Sequence, residues 1–164
     1  MGAYRLKDYE QDQDAKPPTC LRTLRCLPNA AFGNRPDTLG ADIPAGGKTS
    51  ARAIARMYAA LIGDVDGVRL VSPARLHEAT SAPVSGVDEI FGMPTTWALG
   101  YAIGVPGRAP QDPASAFGVG GVGGSFAFGD TATGISFALT KNRLTQDFNA
   151  SAEIARLVIS SLSA

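Results

Sequence analysis

The residues whose types and spacing could do chemistry lie mostly in one stretch, Phe117-Gly118-Val119-Gly120-Gly121-Val122-Gly123-Gly124-Ser125, which runs on into Phe126-Ala127-Phe128-Gly129-Asp130. Five glycines beside an alternating run strip the backbone of side chains. Such a backbone has two uses. Glycines permit turns and close packing between strands. They also let a strand approach a ligand and aim an amide at an oxyanion. The residue types alone leave both uses open.

The other candidates are weaker. His77 is the single histidine, and no cysteine or carboxylate stands at metal-ligand spacing to it. It reads as a surface or half-buried helix residue, and neither metal nor cofactor is expected. A Ser-His-Asp triad could use only His77, and no serine sits in a Gly-x-Ser-x-Gly elbow. Gly46-Gly47-Lys48-Thr49 before a helix has the look of a phosphate-binding loop. That motif needs a glycine where Asp42 stands, a carboxylate facing the place a phosphate would take. It is read instead as a glycine-rich helix entry. Cys20 and Cys26 are read as free thiols, because no secretory signal precedes them.

Composition narrows the class further. Fifteen Lys+Arg balance fifteen Asp+Glu, so nothing resembles the basic stripe of a nucleic-acid binder. No run approaches the ~20 apolar residues of a membrane span. A cytoplasmic location is the resulting expectation. With 45% hydrophobic and 18% charged residues among 164, the chain can bury a core.

The elements that must position the glycine-rich stretch can be sketched from periodicity. Residues 1–48 show none and are punctuated by Pro17, Pro18, Pro28, Pro36 and Pro44, which predicts coil. Ile54, Met57, Tyr58, Leu61 and Ile62 recur at helical spacing after a Thr49-Ser50 cap and before Gly63. Ser72-Pro73 opens a second helix, to about Thr80. Trp97, Leu99, Tyr101 and Ile103 alternate with small residues, which predicts one strand. Phe126 and Phe128, then Ile135, Phe137 and Leu139, predict an antiparallel pair joined through Asp130–Gly134. One face of that pair carries large side chains and the other Ala, Ser and Gly. A closing helix spans about Asn149 to Leu162, with Ile154, Leu157, Val158 and Leu162 as its apolar stripe. Helices, strands and a closing helix imply an α+β architecture.

In this order, the elements carry a resemblance. The stretch from Phe117 to Ser125, the strand after it, the turn at Asp130, the strand Gly134–Lys141 and Asn142-Arg143 together resemble the third active-site motif of β-lactamase-related serine hydrolases, in their esterase-like branch. Ile43-Pro44-Ala45-Gly46-Gly47, the helix Thr49–Leu61, Asp66-Gly67-Val68-Arg69-Leu70-Val71-Ser72-Pro73 and Leu99-Gly100-Tyr101 are similar to the same branch. The resemblance spans residues 28–162 and divides the chain into an irregular segment, 1–27, and the C-terminal part of such a domain, 28–164. It implies a partial β-lactamase/transpeptidase-like fold, an antiparallel sheet flanked by helices, without two early strands and the nucleophile helix. It also implies that Val119, Gly120, Gly121 and Val122 form the third-motif strand, with the Val122 amide as one oxyanion donor.

The departures decide the functional expectation. In that family a Ser-x-x-Lys pair supplies the nucleophile and its base, and a Tyr motif moves the proton. None of the serines here has lysine three residues on, and no Tyr-x-Asn occurs. Val119 stands where the family has His or Lys, so that position can neither donate a hydrogen bond nor carry charge. The expected function is therefore that of a truncated serine hydrolase of the esterase/β-lactamase type, inactive alone, with no catalytic residue of its own. Its parent would act on a small ester or lactam. The alternative is a non-catalytic binding or interaction module on the same fold. The strand Gly134–Lys141 would lack one neighbour, so self-association through an exposed strand edge is a further expectation.

Overall fold

A computed structural model describes residues 35–40, 47–81, 83–89, 94–104, 115–121, 123–142 and 149–161. Cys20, Cys26, the segment 1–27 and Val122 lie outside the described residues. The described elements are helices α1 (Pro36–Leu39), α2 (Ala51–Ile62) and α3 (Pro73–Thr80), strands β1 (Val84–Val87), β2 (Pro94–Trp97), β3 (Ala102–Ile103), β4 (Ala116–Gly120), β5 (Phe126–Asp130) and β6 (Ile135–Leu139), and helix α4 (Asn149–Ser160). The six strands form one sheet in the order β1-β2-β3-β4-β5-β6, each antiparallel to the next.

Local chemistry sets the helix ends where the sequence places them. The Ser50 hydroxyl accepts from the Ala53 amide at 3.2 Å and caps α2, satisfying a donor that has no partner within the helix. The Gly63 amide closes its far end on the Ala59 carbonyl at 2.8 Å. Ser72 caps α3 in the same way, with Pro73 in the first turn. Between the two helices, Val65 and Val68 pair across Asp66 (φ 53°) and Gly67 (φ 78°). Two left-handed residues in succession make the tight turn that Asp-Gly favours. The chain then returns along α2: the Leu70 amide donates to the Ala60 carbonyl at 2.8 Å. The Arg69 guanidinium donates to the Val71 carbonyl at 2.8 Å and to the Ile62 carbonyl at 3.1 Å, the latter one of those that the end of α2 leaves open.

Two helix layers sandwich the sheet. Because side chains alternate along a strand, Ala127 and Gly129 of β5 and Ser136 and Ala138 of β6 share one face. Here α2 lies across β5 and β6, burying Tyr58 and Leu61 with Phe117 and Ala127. A Cβ on Gly129 would sit 3.3 Å from Cζ of Phe117 and 3.4 Å from Cδ1 of Tyr58, so the small face is what lets the helix in so closely. Tyr58, Tyr101 and Phe117 pack with ring centroids 5.1–6.3 Å apart. On the other face Phe126, Phe128 and Phe137 form a second aromatic group, with centroids 5.6–5.8 Å apart, covered by Ala155 of α4.

Several sequence expectations change. The alternating run Trp97–Ile103 is not one strand. It turns at Ala98–Tyr101, where Gly100 has φ 85°, so that Trp97 pairs with Ala102. This register puts Trp97 on one face together with Ala102, and Ile103 on the other, although an unbroken strand would put Trp97 and Ile103 on the same face. Met57 is 43% exposed, so the buried face of α2 is narrower than its apolar stripe. Pro36–Leu39 forms one helical turn within a segment read as coil. The stripe of α4 is turned the other way: Ser151 and Ala155 are buried, while Ile154 and Leu157 are exposed. Ala155 packs directly against the Phe126–Phe128 group, with Ile159 half-buried beside it. Leu162 lies outside the described residues.

Candidate active-site strand

The glycine-rich stretch resolves into a hairpin. β4 and β5 pair in register from Ala116↔Asp130 to Gly120↔Phe126, and the Gly121 amide donates to the Ser125 carbonyl at 2.8 Å. The Gly124 amide donates back to the Gly121 carbonyl at 3.2 Å. Gly123 (φ 102°) and Gly124 (φ 78°) occupy left-handed backbone that side-chain-bearing residues avoid. Gly118 serves a different purpose: a Cβ there would lie 2.2 Å from the Ala127 carbonyl oxygen and 2.8 Å from Cα of Phe128. Thus one glycine sets the spacing of two strands and two make the turn.

Val119, Gly120 and Gly121 lie together at the end of β4, all exposed. Val119 is 43% exposed, and its register with Ala127 puts it on the α2 side of the sheet. A residue in its position can therefore reach solvent beside the glycines, where a donor or a charge would be accessible to a ligand. The Gly121 amide is committed to the hairpin bond and is not free to bind an oxyanion. That leaves the Val122 amide as the sequence-based candidate on this turn, outside the described residues.

Two serines hold the hairpin from behind, and motif reading did not find them. The buried Ser151 hydroxyl of α4 donates to the Gly124 carbonyl. The Lys141 amide, just beyond β6, donates to the Ser125 hydroxyl at 2.9 Å. The turn is thereby tied to both the closing helix and the next strand. The one sequence signal was a serine four residues before Ala155 on the same side of a helix.

At the far end of β5, Asp130 organises the next turn. Its carboxylate accepts from the Thr133 hydroxyl at 2.8 Å and the Ala132 amide at 3.0 Å. Burial pushes this carboxyl up, but the donors gathered on it outweigh that and hold its pKa below the ordinary 3.8. Burial, and secondarily the neighbouring Tyr101, push the Tyr58 phenol up to about 12. Tyr58 lies in the core and is not an available proton carrier. His77 is exposed on α3. Among the described residues no group of three or more His, Cys, Asp or Glu could hold a metal ion, and no helix is long and apolar enough to cross a membrane.

An antiparallel sheet between helix layers, with an exposed glycine-rich strand end, defines a domain of the penicillin-binding-protein and β-lactamase type. The Beta-lactamase family model matches residues 4–160: the chain belongs to the β-lactamase family. The match begins well upstream of residue 28, where the recognisable motifs start. Among curated proteins the chain is similar to the esterase/β-lactamase LipL of Mycobacterium tuberculosis (strain ATCC 25618 / H37Rv), 36% identical over 119 residues. That alignment covers 70% of this chain and 27% of LipL, so the chain spans about a quarter of its relative's length. Among solved structures, a penicillin-binding protein homologue from Caulobacter crescentus matches with TM-score 0.55 and 34% identity, over 61% of this chain and 28% of the other. A family VIII carboxylesterase matches with TM-score 0.64 and 28% identity, over 73% of this chain and 33% of the other.

Proposed function

We propose that this chain is the C-terminal scaffold of an esterase-type serine hydrolase, supplying the third-motif strand and its supporting helix but no nucleophile. The family of enzymes it belongs to and the esterases it resembles support a small ester or lactam as the parent substrate. The single observation that carries the inactive reading is the absence of any Ser-x-x-Lys pair and any Tyr-x-Asn among its 164 residues. The open end of β4 fits the role of a substrate-side strand. Glycines 120 and 121 present no side chain to an approaching carbonyl, and the turn behind them is braced by Ser125 and Ser151. Val119 supplies neither charge nor a hydrogen-bond donor at its exposed site, so the strand offers only backbone polarity to a substrate.

Loss of a nucleophile removes about six orders of magnitude of rate in a serine hydrolase. The chain should therefore give no ester hydrolysis above background and no covalent adduct with a fluorophosphonate or a penicillin, read by intact-mass spectrometry. A stoichiometric adduct on any serine overturns the proposal. Saturable but non-covalent binding of an ester or lactam, perturbed by substitutions at Val119, would instead favour a binding module on the same fold.

A further inference from the structure

Asp66-Gly67 is the one Asp-Gly pair in the chain, and no Asn-Gly pair occurs. It forms the two-residue turn between Val65 and Val68, which exchange hydrogen bonds of 3.0 and 3.1 Å. Among the described residues Asp66, at φ 53°, is the only one other than glycine in left-handed backbone. L-residues reach that region at a cost, which Asp tolerates better than most. The Asp66 side chain is 74% exposed and is held toward α2 by an ion pair, Oδ2 to Nη2 of Arg56 at 2.6 Å. The guanidinium is exposed as well, so the pair is weak and open to screening by salt. On the other side of the turn the Gly67 amide donates to Oδ1 of Asp64 at 2.9 Å. A Cβ on Gly67 would meet no atom within 4 Å, so the space beside that nitrogen is open.

We infer that Asp66 is a site of spontaneous covalent modification, isomerising to isoaspartate through a cyclic imide with Gly67, and that Asp64 assists the step while Arg56 restrains it. The Gly67 nitrogen attacks Cγ of Asp66 in its carboxylic acid form. Asp64 takes the amide proton, from the hydrogen-bond distance that a general base needs. The bond from nitrogen to Cγ forms, the bond from Cγ to the hydroxyl breaks, and the proton on Asp64 carries the hydroxyl off as water. Water then adds back at the main-chain carbonyl carbon of Asp66 and breaks its bond to nitrogen. The chain now runs through the side-chain carbonyl, and the former main-chain carbon is a free carboxylate. The net change is an isomerisation, with one water lost and one regained. Arg56 opposes it by holding the carboxyl toward α2, because the carboxyl must leave that pair to meet the nitrogen. The product carries one more main-chain carbon inside a two-residue turn. It cannot keep both Val65–Val68 hydrogen bonds, and its carboxylate no longer sits where Arg56 meets it. The Leu70–Ala60 bond and the Arg69 contact with the end of α2 follow directly in the chain, so the loosening passes to the α2–α3 connection.

Peptide mapping of the full chain, aged in heavy-oxygen water at physiological temperature, reads the site. Isoaspartate is expected at residue 66, with a heavy oxygen incorporated and a transient species one water lighter. Arg56→Gln should speed its accumulation several-fold and Asp64→Asn should slow it several-fold. Each variant should keep the cooperative melt, because both side chains are exposed. Raising the salt concentration should speed the step in the unsubstituted chain and leave Arg56→Gln unchanged, which tests the ion pair without depending on how a variant folds. Asp66→Glu, whose ring would be larger, serves as the blank. The aged fraction should unfold at lower urea concentration than the fresh chain. Absence of isoaspartate at residue 66 in the native chain would overturn the proposal, most directly if the chain unfolded in urea forms it there. Accumulation indifferent to Arg56→Gln, to Asp64→Asn or to salt would overturn it equally, since the geometry of the turn would then play no part. Isoaspartate that leaves urea unfolding unchanged would overturn the loosening of the α2–α3 connection. Each outcome is independent of whether the chain hydrolyses an ester.

Discussion

At Gly118 a single hydrogen atom separates a paired strand from a steric overlap. The Cβ of alanine would lie 2.2 Å from the Ala127 carbonyl oxygen, and both neighbours are backbone, which cannot rotate away. Gly118→Ala should cost about 3 kcal/mol or more in urea unfolding, at the upper end of overpacking effects. Val119 next to it should behave oppositely. It is 43% exposed, so Val119→His should change stability by about 1 kcal/mol or less. A loss of several kcal/mol there would place the side chain in packed surroundings and remove it from the substrate-side strand. Asp130 carries the acid dependence of the hairpin. Its pKa in the folded chain is below the ordinary 3.8, so the stability it contributes is complete above that value and is lost as pH falls through the lower folded value. The acid limb of a stability-pH curve should flatten in Asp130→Asn. Tyr58 acts at the other limit: with its phenol pushed from 10.0 to about 12, its contribution is complete below pH 10 and lost as pH rises toward 12. Absorbance titration of the phenolates should show one late-titrating group that disappears in Tyr58→Phe.

Elements are joined here by a few polar ties across apolar contacts. α4 reaches the sheet through Ala155 and the half-buried Ile159, and its buried Ser151 hydroxyl finds its acceptor in the Gly124 carbonyl of the glycine-rich turn. Ser151→Ala would leave that buried carbonyl without its partner, a loss of about 1–3 kcal/mol. Hydrogen exchange should then rise at the β4–β5 turn as well as in α4, because the tie joins the two. If protection falls only in the helix, the serine does not brace the turn. α2 depends on caps at both ends, and these were visible beforehand: Ser50 before the first apolar position and Gly63 after the last are local signals with a local mechanism. The reversal of the α4 stripe was not visible. Ile154, Leu157 and Val158 have the spacing of a buried face, but the side that meets the sheet carries Ser151, Ala155 and Ile159.

Over the whole molecule, the sequence by itself determined the helix limits at Ser50, Gly63 and Ser72, the β5–β6 hairpin and the small-residue face that admits α2. Each follows from contacts within a few residues or from an alternation that a strand must obey. The family was legible as well, because the order of Asp66-Gly67, Leu99-Gly100-Tyr101 and the stretch from Phe117 to Ser125 survives in one dimension. The tertiary structure decided what depends on who faces whom. It bent the alternating run at Gly100 into a turn and so put Trp97 and Ile103, which the alternation places on one face, on opposite faces. It divided the glycines into one that spaces strands and two that turn the chain, a division fixed by the Ala127 carbonyl and by positive φ. It also buried Ser151 and exposed Leu157, because which side of α4 meets the sheet is set by the contacts of Ala155 and Ile159 with the Phe126–Phe128 group, which no pattern along α4 records.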